Sequence, residues 1–347
     1  MKKTIIFLIT VSFLFTGCAT TAGPKVTSLE IREAKERLKA KAVRHRFQQL
    51  QRVVNIGHRL ITNLPEEDRR KEHPSLGVKV AKITKTVKRA YDLPEEKGVV
   101  IIAVIEDTPA EKAGLKIGDV ILRIGKKDVR DIDSFRYATS SARLKDKKDI
   151  EIEINRYGEN KIFLSEISVM PRKISFDIID RQEINAGAGP NLILVTYGLM
   201  NFVNSDDEIA IILAHELAHI TKGHISKITG MEMLAGLAAI GVGVLSEHIS
   251  PGSGREVVRV ASGASKVFSR SYSRDLEREA DYFGLKYVKL TGYDYKVATG
   301  LWERFAIEVP KSMVRNYLST HPISPERLVR VQKIIEELKA ENEEPIA

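Results

Sequence analysis

LAHELAHITKGH, residues 213–224, places three of the chain's eight histidines within ten positions. Just upstream, Ser205 and Glu208 have capping-box spacing, which predicts a helix that starts near Asp206 and runs through the histidines. On such a helix His215 and His219 stack on one face, four residues apart, so that two imidazoles can meet one zinc ion. Glu216 then stands beside the metal rather than on it, where its carboxylate can take a proton from a water attacking a carbonyl.

A zinc site of this kind needs a third protein ligand and an open position for water. A third histidine in the pattern H-E-x-x-H-x-x-G-x-x-H does not fit, because Lys222 and Ile225 stand where Gly and His are required. His224 is displaced by one residue and reads as structural. The other solution is a glutamate from a second helix, and SRDLEREADYFGLKYV, residues 273–288, offers Glu277 and Glu279. Helical phase favours Glu277, which shares a face with Ala280, Asp281, Gly284 and Val288, small enough for close helix approach. Glu279 falls in line with Lys286 on the side expected to be wet. Asp281, one turn past Glu277, is placed to orient a ligand histidine. The expected cofactor is one Zn²⁺ per chain.

Outward from this region the texture changes. Residues 27–62 read as one long helix with a loose apolar stripe of Leu29, Ala34, Leu38, Val43, Leu50, Val53, Ile56 and Leu60. Between about 75 and 168 come short strand-like runs, GVVIIAVI, DVILRIG and IEIEINRY, separated by glycine turns. In EDTPAEKAGLKIGDV, Thr108 is placed to cap a short helix with Pro109 at its first position, and Gly114 to end it. With the helix-like stretch from Phe135 to Ala142 downstream, this segment resembles a PDZ domain of the HtrA type. The resemblance implies that the loop SLGV, with Leu76, Gly77 and Val78, holds a peptide's terminal carboxylate. A bound chain would add as a strand beside Val78 and Val80.

The N-terminus, MKKTIIFLITVSFLFTGCAT, has two lysines, an apolar run from Thr4 to Phe15 and then small residues. The run is too short for a membrane span and suits a signal peptide. LFTGC resembles a bacterial lipoprotein box, which implies lipidation at Cys18 and a membrane anchor. Ala19 after the cysteine implies the periplasmic face of the outer membrane. Cys18 is the chain's single cysteine, so no intramolecular disulfide forms. The net charge of +9 becomes +7 without Lys2 and Lys3. Much of the excess lies in residues 25–47, with eight Lys/Arg against three Glu, and reads as a solvated helix face. No basic-aromatic module accompanies it, so nucleic acid is not an expected partner. MEMLAGLAAIGVGVL, residues 231–245, has one charge and is too short to cross a bilayer upright; it reads as a buried helix, with a lid as the alternative.

HELAH, EREAD, EINAGAGPNLILVTYGLM (183–200) and HPISPER (321–327) together resemble the HtpX and CAAX-prenyl-protease type of zinc metallopeptidase, family forty-eight. The leader is similar to that of its periplasmic lipoprotein branch. The fold this implies is α+β: a mostly helical gluzincin-type zincin domain with a small β-sheet, and an inserted PDZ β-sandwich. The expected division is a signal peptide over 1–17, a lipidated tether over 18–26, an N-terminal peptidase helix over 27–72, PDZ over 74–168 and the metallopeptidase over 171–340. By the same resemblance, substrate lies extended along Asn185, Ala186, Ile193 and Val195. His321 either stabilises an oxyanion, occupies the open zinc position in a latent form, or caps a helix without touching the metal. The implied activity is cleavage of unfolded or misassembled envelope proteins, with PDZ recruiting them. A proteolytically silent chaperone or scaffold working through PDZ is the alternative.

Overall fold

The computed structural model describes residues 23–70, 72–94, 97–140, 150–166, 168–227, 272–309 and 317–341. The leader with Cys18, the apolar stretch 231–245 and the small-residue run 262–271 lie outside the described residues. The chain is α+β. It begins with α1 (Ser28–Thr62), opened by a capping box in which Thr27 and Glu30 exchange bonds. The apolar stripe of α1 is buried only from Ala40 onward. Leu29 and Leu38 are exposed.

After α1 the chain leaves through β1 (His73–Ser75) and returns through β8 (Ser168–Met170), which pair antiparallel as a neck. Between them lie β2 (Val78–Ala81), α2 (Lys85–Ala90), β3 (Val99–Val104), α3 (Pro109–Lys112) and β4 (Val120–Ile124). They are followed by β5 (Lys127–Asp128), α4 (Ile132–Ala138), β6 (Ile150–Arg156) and β7 (Glu159–Ser165). The strands form one sheet in the order β2-β3-β4-β6-β7, with β5 on β4, so β2 is an outer strand. Val99, Ile101, Ile121, Ile152 and Ile154 fill its core, where period-2 burial meets the helices. Thr108 does precede α3, yet its hydroxyl donates to the Ile105 carbonyl rather than capping the helix.

This sheet is mounted on α1. Phe47 stacks on Tyr91 and joins Val87, Leu93, Val100 and Val120 in a separate small core. Further along α1, the Gln51 side-chain amide bonds both the N–H and the C=O of Val104, acting as a one-residue strand partner at the end of β3.

Beyond the neck come β9 (Ser175–Ile179), β10 (Ala186–Gly189) and β11 (Leu192–Thr196), then α5 (Tyr197–Phe202) and α6 (Asp206–Thr221). They are followed by α7 (His224–Lys227), α8 (Arg274–Thr291), α9 (Ala298–Glu308), α10 (Tyr317–Thr320) and α11 (Pro325–Ala340). The second half of α1 packs with them: Val53, Ile56 and Leu60 share one core with Ile209, Leu213, Val288, Leu301 and Val331. Residues on both sides of the neck therefore build one hydrophobic centre. Among the described residues no helix is long and apolar enough to cross a membrane.

The small sheet runs in the order β10-β11-β9, with β9 parallel and β10 antiparallel to β11. This corrects one expectation. Ile193 and Val195 lie on the central strand, their side chains 0% and 1% exposed in the core, so they present no edge to a bound chain. The turn at Pro190–Asn191 splits the segment into two strands, and the outer one is β10, entered through Asn185 and Ala186.

Candidate metal centre

The site is built where α6 and α8 cross. α6 starts at Asp206 behind Ser205, whose hydroxyl accepts from the Glu208 amide. The reciprocal half of the capping box is absent, because Glu208 turns to the Asn204 amide and to Arg304. The helix is apolar nearly all round and is buried from Glu208 to Thr221, which places both its histidines inside the protein. α8 crosses it at Gly284, where an added Cβ would lie 3.1 Å from the backbone nitrogen and Cα of His215. Gly284→Ala is therefore expected to force the helices apart, at about 1–3 kcal/mol, and to weaken metal retention. Thermal unfolding and a metal-affinity titration check this; unchanged values in both would refute the close-approach argument.

Four side chains converge. One ligand atom from each of His215, His219, Glu277 and His321 lies within 4.8 Å of all the others, and all four residues are buried. His215 Nε2 and His219 Nε2 are 3.1 Å apart. The two Glu277 oxygens lie 3.4 Å from them, Oε2 from His215 and Oε1 from His219. His321 Nδ1 completes the set, 3.3 Å from His215 Nε2 and 2.9 Å from Glu277 Oε1. Tetrahedral zinc with bonds near 2.0–2.1 Å separates its ligand atoms by about 3.3 Å. Nitrogen and oxygen atoms gathered at that spacing in a buried space fit a divalent cation.

Around this set each group has a fixed neighbour. His215 Nδ1 lies 3.0 Å from Asp281 Oδ1. His219 Nδ1 lies 2.9 Å from His224 Nδ1, and its ring is stacked 3.7 Å from that of Tyr272. Glu216 is fully buried, and neither carboxylate oxygen has a well-aligned hydrogen bond among the described residues. Its closest polar neighbour is His321 Nε2, 3.2 Å from Oε1. Burial opposes ionisation of Glu216, but His321, then His219 and His215, outweigh it and hold the carboxyl below its ordinary range. Burial, with the nearby His215 and His321, takes His219 down to about 3, which keeps it in the neutral form that ligates metals. His321 shows the opposite balance: burial disfavours its charge, yet Glu277 and Glu216 push it up to about 10. A cavity of about 330 Å³ lies beside Glu277, lined by Tyr272, Arg274, Arg278 and Arg327 among others.

The structure thus brings His215, Glu216, His219, Glu277, Asp281 and His321 together. The peptide-binding candidates Leu76, Gly77 and Val78 lie apart from them, at the start of β2; Gly77 takes φ +74°, and its amide donates to Ser75 Oγ. Asn185 sits at the entry to β10, where its Oδ1 accepts from the Ala186 amide. Glu279 is not simply wet. Although its side chain is 40% exposed, Oε2 lies 2.9 Å from Nε2 of the buried His224.

Arg327 carries no role in the sequence reading, yet it is 6% exposed at the heart of the site. Its Nε and Nη2 each donate to Asp281 at 2.8 Å, Nη1 lies 3.3 Å from Glu277 Oε2, and Nη1 also donates to the His321 carbonyl. Burial would raise the Asp281 carboxyl, and Arg327 with His215 more than offsets this. One signal was available: Arg327 stands in the first turn of α11, where the helix dipole disfavours a cation, so something else must hold it there. Tyr317, stacked 4.5 Å from His321 and 5.7 Å from Trp302, was also missed.

Comparison with known proteins agrees with this geometry. The mitochondrial metalloendopeptidase OMA1 of Arabidopsis thaliana is 30% identical over 152 residues, covering 43% of this chain and 29% of that protein. The beta-barrel assembly-enhancing protease of Yersinia pestis is 27% identical over 163 residues, covering 44% and 32%. Metalloprotease YcaL of Escherichia coli K12 is 29% identical over 173 residues, covering 46% and 61%. The chain thus spans less than two thirds of the length of each. A PDZ domain model matches residues 74–164, and the model of peptidase family M48 matches residues 151–335. With a match over more than half its length and a buried His-His-Glu-His set that can hold a metal, the chain belongs to peptidase family M48.

Proposed function

We propose that the chain is a zinc-dependent metalloendopeptidase of the bacterial cell envelope, anchored through lipidated Cys18 on the periplasmic face of the outer membrane, which cuts unfolded or misassembled envelope proteins. The observation that carries this reading is the convergence of His215 Nε2, His219 Nε2 and Glu277 on one buried point, with the buried carboxylate of Glu216 beside it. His215, His219 and Glu277 would hold the ion. When bound, zinc supplies Lewis acidity for polarising the scissile carbonyl and acidifying water.

The protein's own groups do the rest. Glu216, ionised and dry, takes the proton from the attacking water and returns it to the departing amine as the C–N bond breaks. Asp281 Oδ1, 3.0 Å from His215 Nδ1, would hold that ring in place. A substrate chain lies extended beside β10, near Asn185 and Ala186. The PDZ sheet receives a free C-terminus at Leu76, Gly77 and Val78 and adds the chain to the outer edge of β2, raising its local concentration at the cleft.

The envelope assignment draws on the lipoprotein-like leader and on relatives named for beta-barrel assembly. Incubation with unfolded casein tests the core of the proposal: hydrolysis should stop with a chelator and return with zinc. Hydrolysis that persists after the metal is stripped would overturn it. The same assay with a C-terminally amidated reporter should run slower than with a free carboxylate; equal rates would reduce PDZ to a spacer. A silent scaffold is the second reading, favoured by His321 filling the space between Glu277 and Glu216.

A further inference from the structure

We propose that Glu279 and His224 form a positioning relay that orients and polarises His219, an inference that rests on the metal-site reading above. A neutral imidazole has a single N–H, and the nitrogen facing a cation must be the bare one. His215 and His219 both turn Nε2 inward, so both carry hydrogen on Nδ1. His215 Nδ1 has a carboxylate as its near neighbour, Asp281 Oδ1 at 3.0 Å.

Among the described residues, no carboxylate stands at the outer nitrogen of His219. Its Nδ1 instead faces His224 Nδ1 at 2.9 Å, a separation that requires one donor and one acceptor. Since His219 donates, His224 Nδ1 is bare and its hydrogen sits on Nε2. That Nε2 points at Glu279 Oε2, 2.9 Å away, where an ionised carboxylate accepts. The proton positions along the chain from His219 to Glu279 are thereby fixed by one fact, the inward face of His219.

The fold supplies the relay deliberately placed. α6 ends at Lys222, and Gly223 with φ +70° reverses the chain so that His224, the first residue of α7, folds back against His219, the rings 5.0 Å apart at 73°. Glu279 comes from α8, the helix that also supplies Glu277, so one helix supports both a ligand and a partner of a ligand. His224 is fully buried, whereas Glu279 opens to solvent, so negative charge reaches His219 without a further carboxylate being added to the buried Glu216, Glu277 and Asp281. A partner of this kind makes the ligand imidazole more basic and stops its rotation.

The test uses the full chain titrated with zinc. Glu279→Gln, conservative and at an exposed position, should weaken zinc binding about 10-fold, and His224→Leu by about 10–100-fold. Because the two act in series, the double variant should bind no more weakly than His224→Leu alone; additive losses would overturn the relay. Two-bond ¹H–¹⁵N spectra of the zinc-loaded chain should show His224 as the Nε2–H tautomer, a reading that a purely packing role would not dictate. Should His224→Leu fail to fold, Glu279→Gln and the spectrum decide. Unchanged zinc affinity in Glu279→Gln, or an Nδ1–H His224, overturns the relay alone. A wild-type chain that binds no zinc overturns the metal-site reading beneath it.

Discussion

Glu216→Gln is expected to bind zinc as the wild type does and to lose hydrolysis of unfolded casein by about 10²–10⁴-fold, the usual contribution of a general base. The amide is nearly isosteric, so the packing that buries position 216 is kept. It cannot accept a proton from water, and the other carboxylates of the site, among the described residues, are engaged elsewhere. Glu277 faces the two imidazoles, and Asp281 is committed to Arg327 and His215. The loss should appear in kcat rather than KM, since Glu216 acts on the water and does not grip the substrate. Zinc content measured on the same sample separates the two halves of the claim. Retained turnover at full zinc occupancy would exclude Glu216 as the base, and lost zinc would show that the carboxylate supports the site instead.

Much of this centre is legible in the sequence because helices turn spacing into geometry. The four-residue step from His215 to His219, and phase along 273–288, suffice to place two imidazoles and to prefer Glu277 over Glu279 as the residue that faces them. Phase says less about what a side chain does at the boundary of its face. Glu279 was assigned to the wet side and is indeed 40% exposed, but a long side chain at a helix margin can still reach inward, here to His224. His224 arrives there through a left-handed glycine turn, which breaks the helical register on which the spacing argument depends. Strand positions are harder still. Ile193, Leu194 and Val195 are all buried, and an apolar run does not tell which strand is outermost, a matter of pairing between distant segments. Arg327 and Tyr317 were missed for a related reason: they reach the site through the fold's long-range contacts and share no short motif with α6. The exposed Leu29 and Leu38 show the converse, an apolar stripe that continues in sequence beyond the surface available to cover it.

The second large effect concerns His321. Its Nδ1 stands with the three ligand groups, 2.9 Å from Glu277 Oε1, while its Nε2 lies 3.2 Å from Glu216 Oε1. One ring therefore spans the gap between the ligand set and the base, the place a reacting water must enter. A catalytic zinc site keeps one position open, and a fourth protein ligand closes it. On the proposal that His321 is that fourth ligand, this arrangement is the latent form, and turnover requires His321 to move away. The Arg327 bond to the His321 carbonyl and the Tyr317 stack favour the closed form. Removing the imidazole by His321→Ala is expected to weaken zinc binding about 10-fold or more, since losing a ligand should cost at least what losing an outer partner does. With saturating zinc, the same variant should cleave a short peptide roughly 10-fold or more faster, because an open form held as the minor state is populated at only about 0.1–10%. A fall in kcat at saturating zinc would reject latency and assign His321 to stabilising the oxyanion; no change in zinc affinity would remove it from the ligand set.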